Sequence, residues 1–426
     1  MDLALNYGRG TLGLSLTDDL DVHVITKRAM PIIGDCAGAI RTAIAAPVGS
    51  APLAELARKA RTACILICDI TRPVPNGLFL PILVRSLMDA GMPPSAITIL
   101  VATGLHRPNE GEELAELVGD RWVSETVEVL NHFARDDEAH TDLGATSKGT
   151  VVKLDRRFVE ADLRIATGLV EPHFMAGYSG GRKVIAPGIA HKETITTFHS
   201  ARVMSHPLAA NCVLEGNPLH EDQIEIVTMI GGAYALNTVI DEQRNLSFVN
   251  FGEIVESHVQ AVAYIHRYAE VAVPRRFKTV VTSAAGYPLD RTYYQTVKGM
   301  VAPLEILEPG GNLIVASECG EGLGSKAYAD AQARLVDLGP DRFLDSLHAK
   351  RYADIDEWQS QMQVKPMKVG AIHLYSTGLL ADQWPLTGVE RAASLEAAIA
   401  ASVEQSGDHS IAVIPEGPYV VPQYRP

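Results

Sequence analysis

Short apolar runs alternate with helical stretches along this chain, and that alternation restricts the possible folds more than any other feature. The clearest run is Ala63–Cys68 (ACILIC), as expected for a strand buried on both faces. Residues 53–61 before it and 76–90 after it have helical periodicity, and Gly91-Met-Pro-Pro closes the second stretch. Residues 96–102 read as the next strand, followed by an acidic helix over 109–118 with Asn109 as its N-cap. Further strands are expected at 127–131 and 163–167. Strands and helices in this order imply a parallel sheet with helices on both faces.

A chain of 426 residues exceeds one ordinary core, and a second unit begins near Pro274. It reads as strands at 277–283, 312–317, 369–375 and 411–414, with helices at 291–307, 326–338, 343–349 and 394–405. The expected architecture is therefore α/β with two Rossmann-like domains. The first covers residues 1–272 and the second 273–405, with the boundary inside 267–276. The sequence leaves open whether 406–426 returns to complete the first domain.

The formal net charge is −14, which disfavours a nucleic-acid surface but allows a small anionic substrate held by a local group of basic residues. No apolar run reaches the roughly 18 residues that span a bilayer. The N-terminus, Met1-Asp-Leu-Ala-Leu-Asn-Tyr, lacks the basic start and apolar core of a secretory signal, so the expected location is the cytoplasm. The five cysteines contain no C-x-x-C. Cys64 and Cys68 share one face of their strand and read as small buried hydrophobes.

Ligands of parallel sheets gather beyond the carboxyl ends of the strands, and three polar loops leave those ends. They are Asp69-Ile-Thr-Arg-Pro-Val-Pro75, Ala102-Thr-Gly-Leu-His-Arg-Pro108, and Glu171-Pro-His-Phe-Met-Ala-Gly-Tyr-Ser-Gly-Gly-Arg-Lys183. Arg72 offers a bidentate fork to a carboxylate or phosphate. His106 and His173 leave strand ends on one rim, where two imidazoles can each exchange a proton near neutral pH. The third loop fails the G-x-x-x-x-G-K-[ST] pattern, because Gly177 and Lys183 have the wrong spacing and Val184 replaces the hydroxyl residue. It still offers backbone amides, the Ser179 hydroxyl, and the Arg182 and Lys183 cations near a helix start, which suits phosphate. His199 is expected in a helix and matches no zinc spacing. His132 and His140 bracket Arg-Asp-Asp-Glu and read as surface groups or groups behind the site. Gln295 and Lys298 share one helical face, and Asn76 is a candidate to face a substrate.

Together these motifs resemble the lactate racemase family, enzymes that use a nickel-pincer nucleotide. The resemblance rests on the three loops, on His199, and on Gln295 with Lys298, and it spans nearly the whole chain. It implies an active site in the cleft between the two domains. It implies that the cofactor, the nickel pyridinium-3,5-bisthiocarboxylic acid mononucleotide, is bound covalently to Lys183, with His199 as a nickel ligand. Asp69, Thr71, Arg72, Ser179 and Gly180 would surround the nucleotide, with Arg182 near its phosphate. His106 and His173 would be the two bases, one per enantiomer. Arg72, Gln295 and Lys298 would hold the substrate.

The implied activity is a racemase or epimerase, an isomerase that inverts Cα of a 2-hydroxy acid through a 2-keto acid by proton-coupled hydride transfer. Proteins that synthesise the cofactor would be needed for activation. Family substrates range from short aliphatic to malate-like, aromatic and sugar acids. Two other readings stay open at this stage. Lys183 suits a Schiff base with pyridoxal phosphate or a carbonyl substrate, and a binding homologue could keep the fold without the cofactor.

Overall fold

The computed structural model describes Met1–Pro426. Its contacts divide the chain into two units, one made of residues 29–198 and 213–267, the other of 1–28, 199–212 and 268–426.

The unit holding the three loops is built on a six-stranded sheet. Its order is Leu246–Glu253, Tyr234–Ile240, Leu163–Leu169, Ala63–Cys68, Ile97–Ala102 and Glu128–Asn131. The Leu246–Glu253 edge strand is antiparallel to its neighbour, and the remaining pairings are parallel. Ile65 and Ile67 project to one face, where they join Ile97, Ile99 and Val101 under Phe79, Leu83 and Leu87 of the Asn76–Asp89 helix. Ile40 and Ile44 of the Cys36–Ala45 helix complete that layer. Each such side chain contributes about 1.5–3 kcal/mol on burial. Cys64 is buried on the other face, where burial pushes its thiol pKa up.

The second unit carries a six-stranded sheet that is parallel throughout. Its order is Glu390–Arg391, Ala371–Tyr375, Leu307–Ala316, Phe277–Ser283, Ser410–Ile414 and Asp21–Val24. The Asp21–Val24 strand explains why residues 1–28 belong here rather than to the first domain: it extends this sheet beside Ser410–Ile414. Ahead of it, the hairpin Asp2–Tyr7/Gly10–Ser15 buries Leu5 and Leu14 against Val281, Ile314, Ile399 and Val413. The C-terminal strand Val421–Tyr424 pairs with Glu270–Val273 inside the same unit, so the tail completes this unit and not the other. Residues 199–212 join it through Ala201, which packs on Leu335, Phe343 and Val364.

Two local expectations change. Helix Gly111–Val118 is capped by Glu110 without a side-chain bond. Asn109 instead accepts from the Ile70 N–H and exchanges bonds with Asn131. The helix expected over 291–307 spans only Tyr293–Val301, capped by the Thr292 side chain. Pro303 has no N–H to continue the ladder and crowds the carbonyl four residues back, and the Leu307–Ala316 strand begins four residues beyond it.

Candidate active site

Three adjacent strands of the first sheet, Leu163–Leu169, Ala63–Cys68 and Ile97–Ala102, deliver the three loops to the same sheet edge. At the exit of the middle strand the chain turns tightly. Asp69 Oδ1 accepts from the Thr71 N–H and hydroxyl at 3.2 and 2.6 Å, and Arg72 N–H returns to the Asp69 carbonyl. Asp69 Oδ2 lies 2.5 Å from His106 Nδ1. Burial alone would push the Asp69 carboxyl up, but the His106 imidazole, the Thr71 hydroxyl and the Arg72 cation together hold it down at about 2. Asp69 is 5% exposed, whereas the His106 side chain is 45% exposed, so the carboxylate sits behind a ring that solutes can reach. Arg72 bonds the Thr71 carbonyl and hydroxyl through Nη1.

Past the third strand, Pro172–His173 forms a two-residue ladder with Gly177–Tyr178. The turn between them aims the Met175 and Ala176 N–H groups at His173 Nδ1, at 3.3 and 3.1 Å. Gly177 is required here. Its φ is +76°, and a Cβ would lie 2.1 Å from the Val213 carbonyl oxygen. The Ser179 hydroxyl donates to the Leu169 carbonyl and accepts from the Glu171 N–H, so it ties the loop to itself.

The two cations of this loop separate. Arg182 is fully buried. It donates through Nε to His220 Nδ1 and through Nη2 to the Ala176 and Tyr178 carbonyls. Its Nη1 reaches the Gly180 carbonyl and lies 2.8 Å from His258 Nε2. These contacts engage all three guanidinium nitrogens, although His258 Nε2 also lies 2.8 Å from the Ser179 carbonyl, to which only an N–H can donate. Fully buried, the side chain props the loop from within through His220 and the Ala176 and Tyr178 carbonyls. Burial lowers its pKa to about 9. Burial, then the Arg182 charge, holds His220 near 4 and His258 well below its ordinary value, so both imidazoles are neutral. The Lys183 and Val184 amides donate to the Gly180 and Gly181 carbonyls.

Lys183 points elsewhere. Its residue surface is only partly covered, but the surroundings of the amine are packed. Burial first, then the Arg72 and Arg182 charges, bring its pKa down to about 7, against the pull of Cys68 and Asp69. Cys68, on the adjoining strand end, has its thiol pushed up to about 12 by burial. Asp69, Arg72, His106 and Lys183 thus form one electrostatic neighbourhood.

In the second unit His199 lies just past the Lys192–Phe198 helix, not inside it. Its ring stacks on Trp358 with centroids 4.6 Å apart, and Trp358 Nε1 donates to the Tyr294 hydroxyl. Sequence reasoning did not select Tyr294; its neighbour Gln295 was the only signal. Gln295 and Lys298 are buried rather than solvated, and Gln295 Oε1 has no hydrogen-bond partner. No group of three or more His, Cys, Asp or Glu side chains is placed to hold a metal ion. Asn76 does not face a site: it is buried and donates to the Leu117 carbonyl.

His132 and His140 also depart from the surface reading. His132 is buried between Asp155 Oδ2 and the Ala190 carbonyl, each 3.1 Å away. Asp155 also accepts two bonds from the Arg157 side chain. The His140 ring lies edge-on to both His132 and His191, at 5.1 and 5.0 Å. Burial, then the neighbouring rings, lowers its pKa. These histidines brace the segment leading into the Lys192–Phe198 helix.

The chain matches the lactate racemase N-terminal domain over residues 7–211 and the lactate racemase C-terminal domain over residues 274–421. It belongs to the lactate racemase family. This family is one of isomerases, and relatives matched over most of their length agree with the assignment. The chain is 32% identical over 374 residues to a lactate racemase of Lactiplantibacillus plantarum, covering 87% of each. It is 30% identical over 373 residues to one of Thermoanaerobacterium thermosaccharolyticum, covering 85% of this chain and 84% of the relative. The apoprotein structure of a lactate racemase from that organism superposes with a TM-score of 0.90 at 28% identity, over 99% of this chain and 100% of that one. A Thermotoga maritima protein shares the fold at 19% identity and a TM-score of 0.67, covering 88% of this chain and 98% of that one. No helix of this family member is long and apolar enough to cross a membrane.

Proposed function

We propose that this chain inverts Cα of a small 2-hydroxy acid, with lactate as the first candidate, using a nickel-pincer nucleotide tethered to Lys183. The observation that most supports this is Asp69, which backs His106 and also acts on a lysine amine held near pKa 7. A neutral amine can bond covalently to a cofactor arm, whereas an ordinary ammonium cannot. Lys183 therefore fits a covalently bound cofactor, and Arg72 beside it offsets anionic charge. A metal here needs most of its ligands from the cofactor, since the side chains provide no cluster. When bound, the nucleotide supplies the acceptor and donor of hydride, which no side chain provides.

The protein's own groups position the substrate and move the proton. His106 removes the hydroxyl proton at Nε2, and Asp69 stabilises the imidazolium that results. Loss of that proton lets the oxygen form the carbonyl as the Cα–H bond breaks. His173 is proposed to act for the other enantiomer. Arg72 is proposed to hold the carboxylate, with Gln295 and Lys298 as further anchors, and His199 as the nickel ligand from the protein.

The test is expression with and without cofactor-synthesis proteins, followed by nickel analysis, intact mass and racemisation of each lactate enantiomer. Adduct and activity should appear together and both vanish in Lys183→Ala. Active protein with unmodified Lys183 would refute the proposal. The depressed Lys183 pKa also suits a Schiff-base enzyme; borohydride would trap an imine there but leave a thioamide unchanged.

A further inference from the structure

The two candidate bases are held by opposite kinds of partner. We propose that His106 and His173 rest as opposite tautomers, His106 carrying its proton on Nδ1 and His173 on Nε2, so that they enter the reaction unequally. The reasoning rests on what each Nδ1 faces. A carboxylate only accepts, so the proton across the 2.5 Å contact between Asp69 and His106 sits on His106 Nδ1. The neutral ring then has its lone pair at Nε2, on the side away from the carboxylate. The low pKa of Asp69 agrees, since the acid is ionised at any working pH.

His173 is the reverse case. Its Nδ1 accepts from the N–H groups of Met175 and Ala176. Two N–H groups cannot converge on a third, so this nitrogen has no proton and the neutral ring carries it at Nε2. The arrangement is built in, because the Pro172–His173/Gly177–Tyr178 ladder and the positive φ of Gly177 fix the turn. Met175 and Ala176 are both buried, so turning the ring away would orphan two buried donors.

The consequence deepens the racemase reading and rests on it for its meaning. As they rest, His106 accepts a proton and His173 offers one as a hydrogen-bond donor. For His173 to act as the base at Nε2, its proton must pass to Nδ1. That requires the ring to turn or the 174–176 turn to shift. By microscopic reversibility both directions pass through this rearrangement, before the His173 proton transfer in one and after it in the other, whereas the His106 transfer needs none. Asp69 is a positioning residue in this scheme: it acts only through His106.

The experiment is two-bond proton–nitrogen correlation on the full apo chain with ¹⁵N-labelled histidine rings, near pH 8. His106→Gln and His173→Gln assign the signals by deletion. If either variant fails to fold, the coupling across the Ala176 N–H to His173 Nδ1 bond assigns that ring in the wild type. The expected result is a protonated Nδ1 for His106 and a protonated Nε2 for His173. Asp69→Ala should abolish the His106 pattern and leave His173 unchanged, which a purely structural role would not do. Two rings in the same form, or His173 with a protonated Nδ1, would overturn the inference. The outcome is independent of the proposed activity. Identical tautomers would leave an adduct and racemisation intact, and an unmodified Lys183 in active protein would leave the tautomer pair standing.

Discussion

Replacing Lys183 by methionine should stabilise the apo protein at neutral pH and less so at high pH. The folded chain holds the amine near pKa 7, against an ordinary value of 10.5. At about 1.4 kcal/mol per pH unit, that fall is worth roughly 5 kcal/mol, and residual solvent contact makes ~3 kcal/mol the working figure. The sign follows from proton uptake. Between pH 7 and 10.5 the unfolded chain holds a proton on this amine and the folded chain does not, so stability rises with pH across that window. Below it both forms are protonated and the full penalty is present. Methionine removes the charge and roughly keeps the volume. Urea denaturation of both apo proteins at pH 6, 8 and 10 reads the difference, in which the other titrating groups cancel. The variant should be more stable by about 3 kcal/mol at pH 6 and near parity by pH 10. A difference that does not change with pH, or a variant weaker at pH 6, would refute the claim that the amine is desolvated beside Arg72 and Arg182.

Three further substitutions probe the frame around the site. Arg182→Lys should cost about 3–5 kcal/mol in chemical denaturation, because a compact ammonium leaves buried carbonyls and His220 unpaired; unchanged stability would show that the guanidinium is not the prop. Gly177→Ala places a Cβ 2.1 Å from the Val213 carbonyl oxygen at positive φ, so its melting temperature should fall by several degrees, and a wild-type melt would count against the turn described. Asp155→Asn should cost about 3–5 kcal/mol by leaving His132 and Arg157 without their carboxylate. Burial pushes that carboxyl up, yet Arg157 and His132 hold it well below the usual range, so its contribution is present above about pH 4 and lost as pH falls through its lowered value. The variant's stability should vary less with pH in that acid range, which denaturation between pH 2 and 5 would reveal.

What the sequence made legible follows local rules. Ala63–Cys68 announced itself because a strand buried on both faces must be apolar at every position. The loops after such strands were equally legible, since strand ends of a parallel sheet are where ligands bind. The first 28 residues were expected in the first domain, but they pack with the second unit. Their hairpin has the period-two pattern of Leu3, Leu5, Leu12 and Leu14, but nothing local says which sheet the Asp21–Val24 strand will join. The Glu357–Met367 helix was missed for a different reason. Its buried face includes Gln359, Gln361 and Gln363, each donating to a distant carbonyl or side chain, so it carries no apolar stripe. His132 looked exposed because it precedes Arg135, Asp136 and Asp137, yet its partner Asp155 comes from another strand end.

The division between Arg182 and Lys183 shows where reading from sequence stops. Two adjacent cations in a glycine-rich loop look equivalent as letters, and both suit an anion. Which one the protein takes up for its own bonding depends on partners far along the chain. His220 and His258 lie 38 and 76 residues beyond Arg182, and no spacing rule foretells their arrival. The chemistry of the two side chains nevertheless accounts for the outcome. A guanidinium stays charged even when buried and has enough donors to satisfy several carbonyls at once, so it can serve as a fixed prop. An ammonium has three donors and loses its proton when desolvated, so it makes a poor prop and a good nucleophile. Exchanging the two residues would therefore put a permanent charge where the chain now holds an amine near pKa 7, and an under-bonded amine where a guanidinium now meets several buried partners.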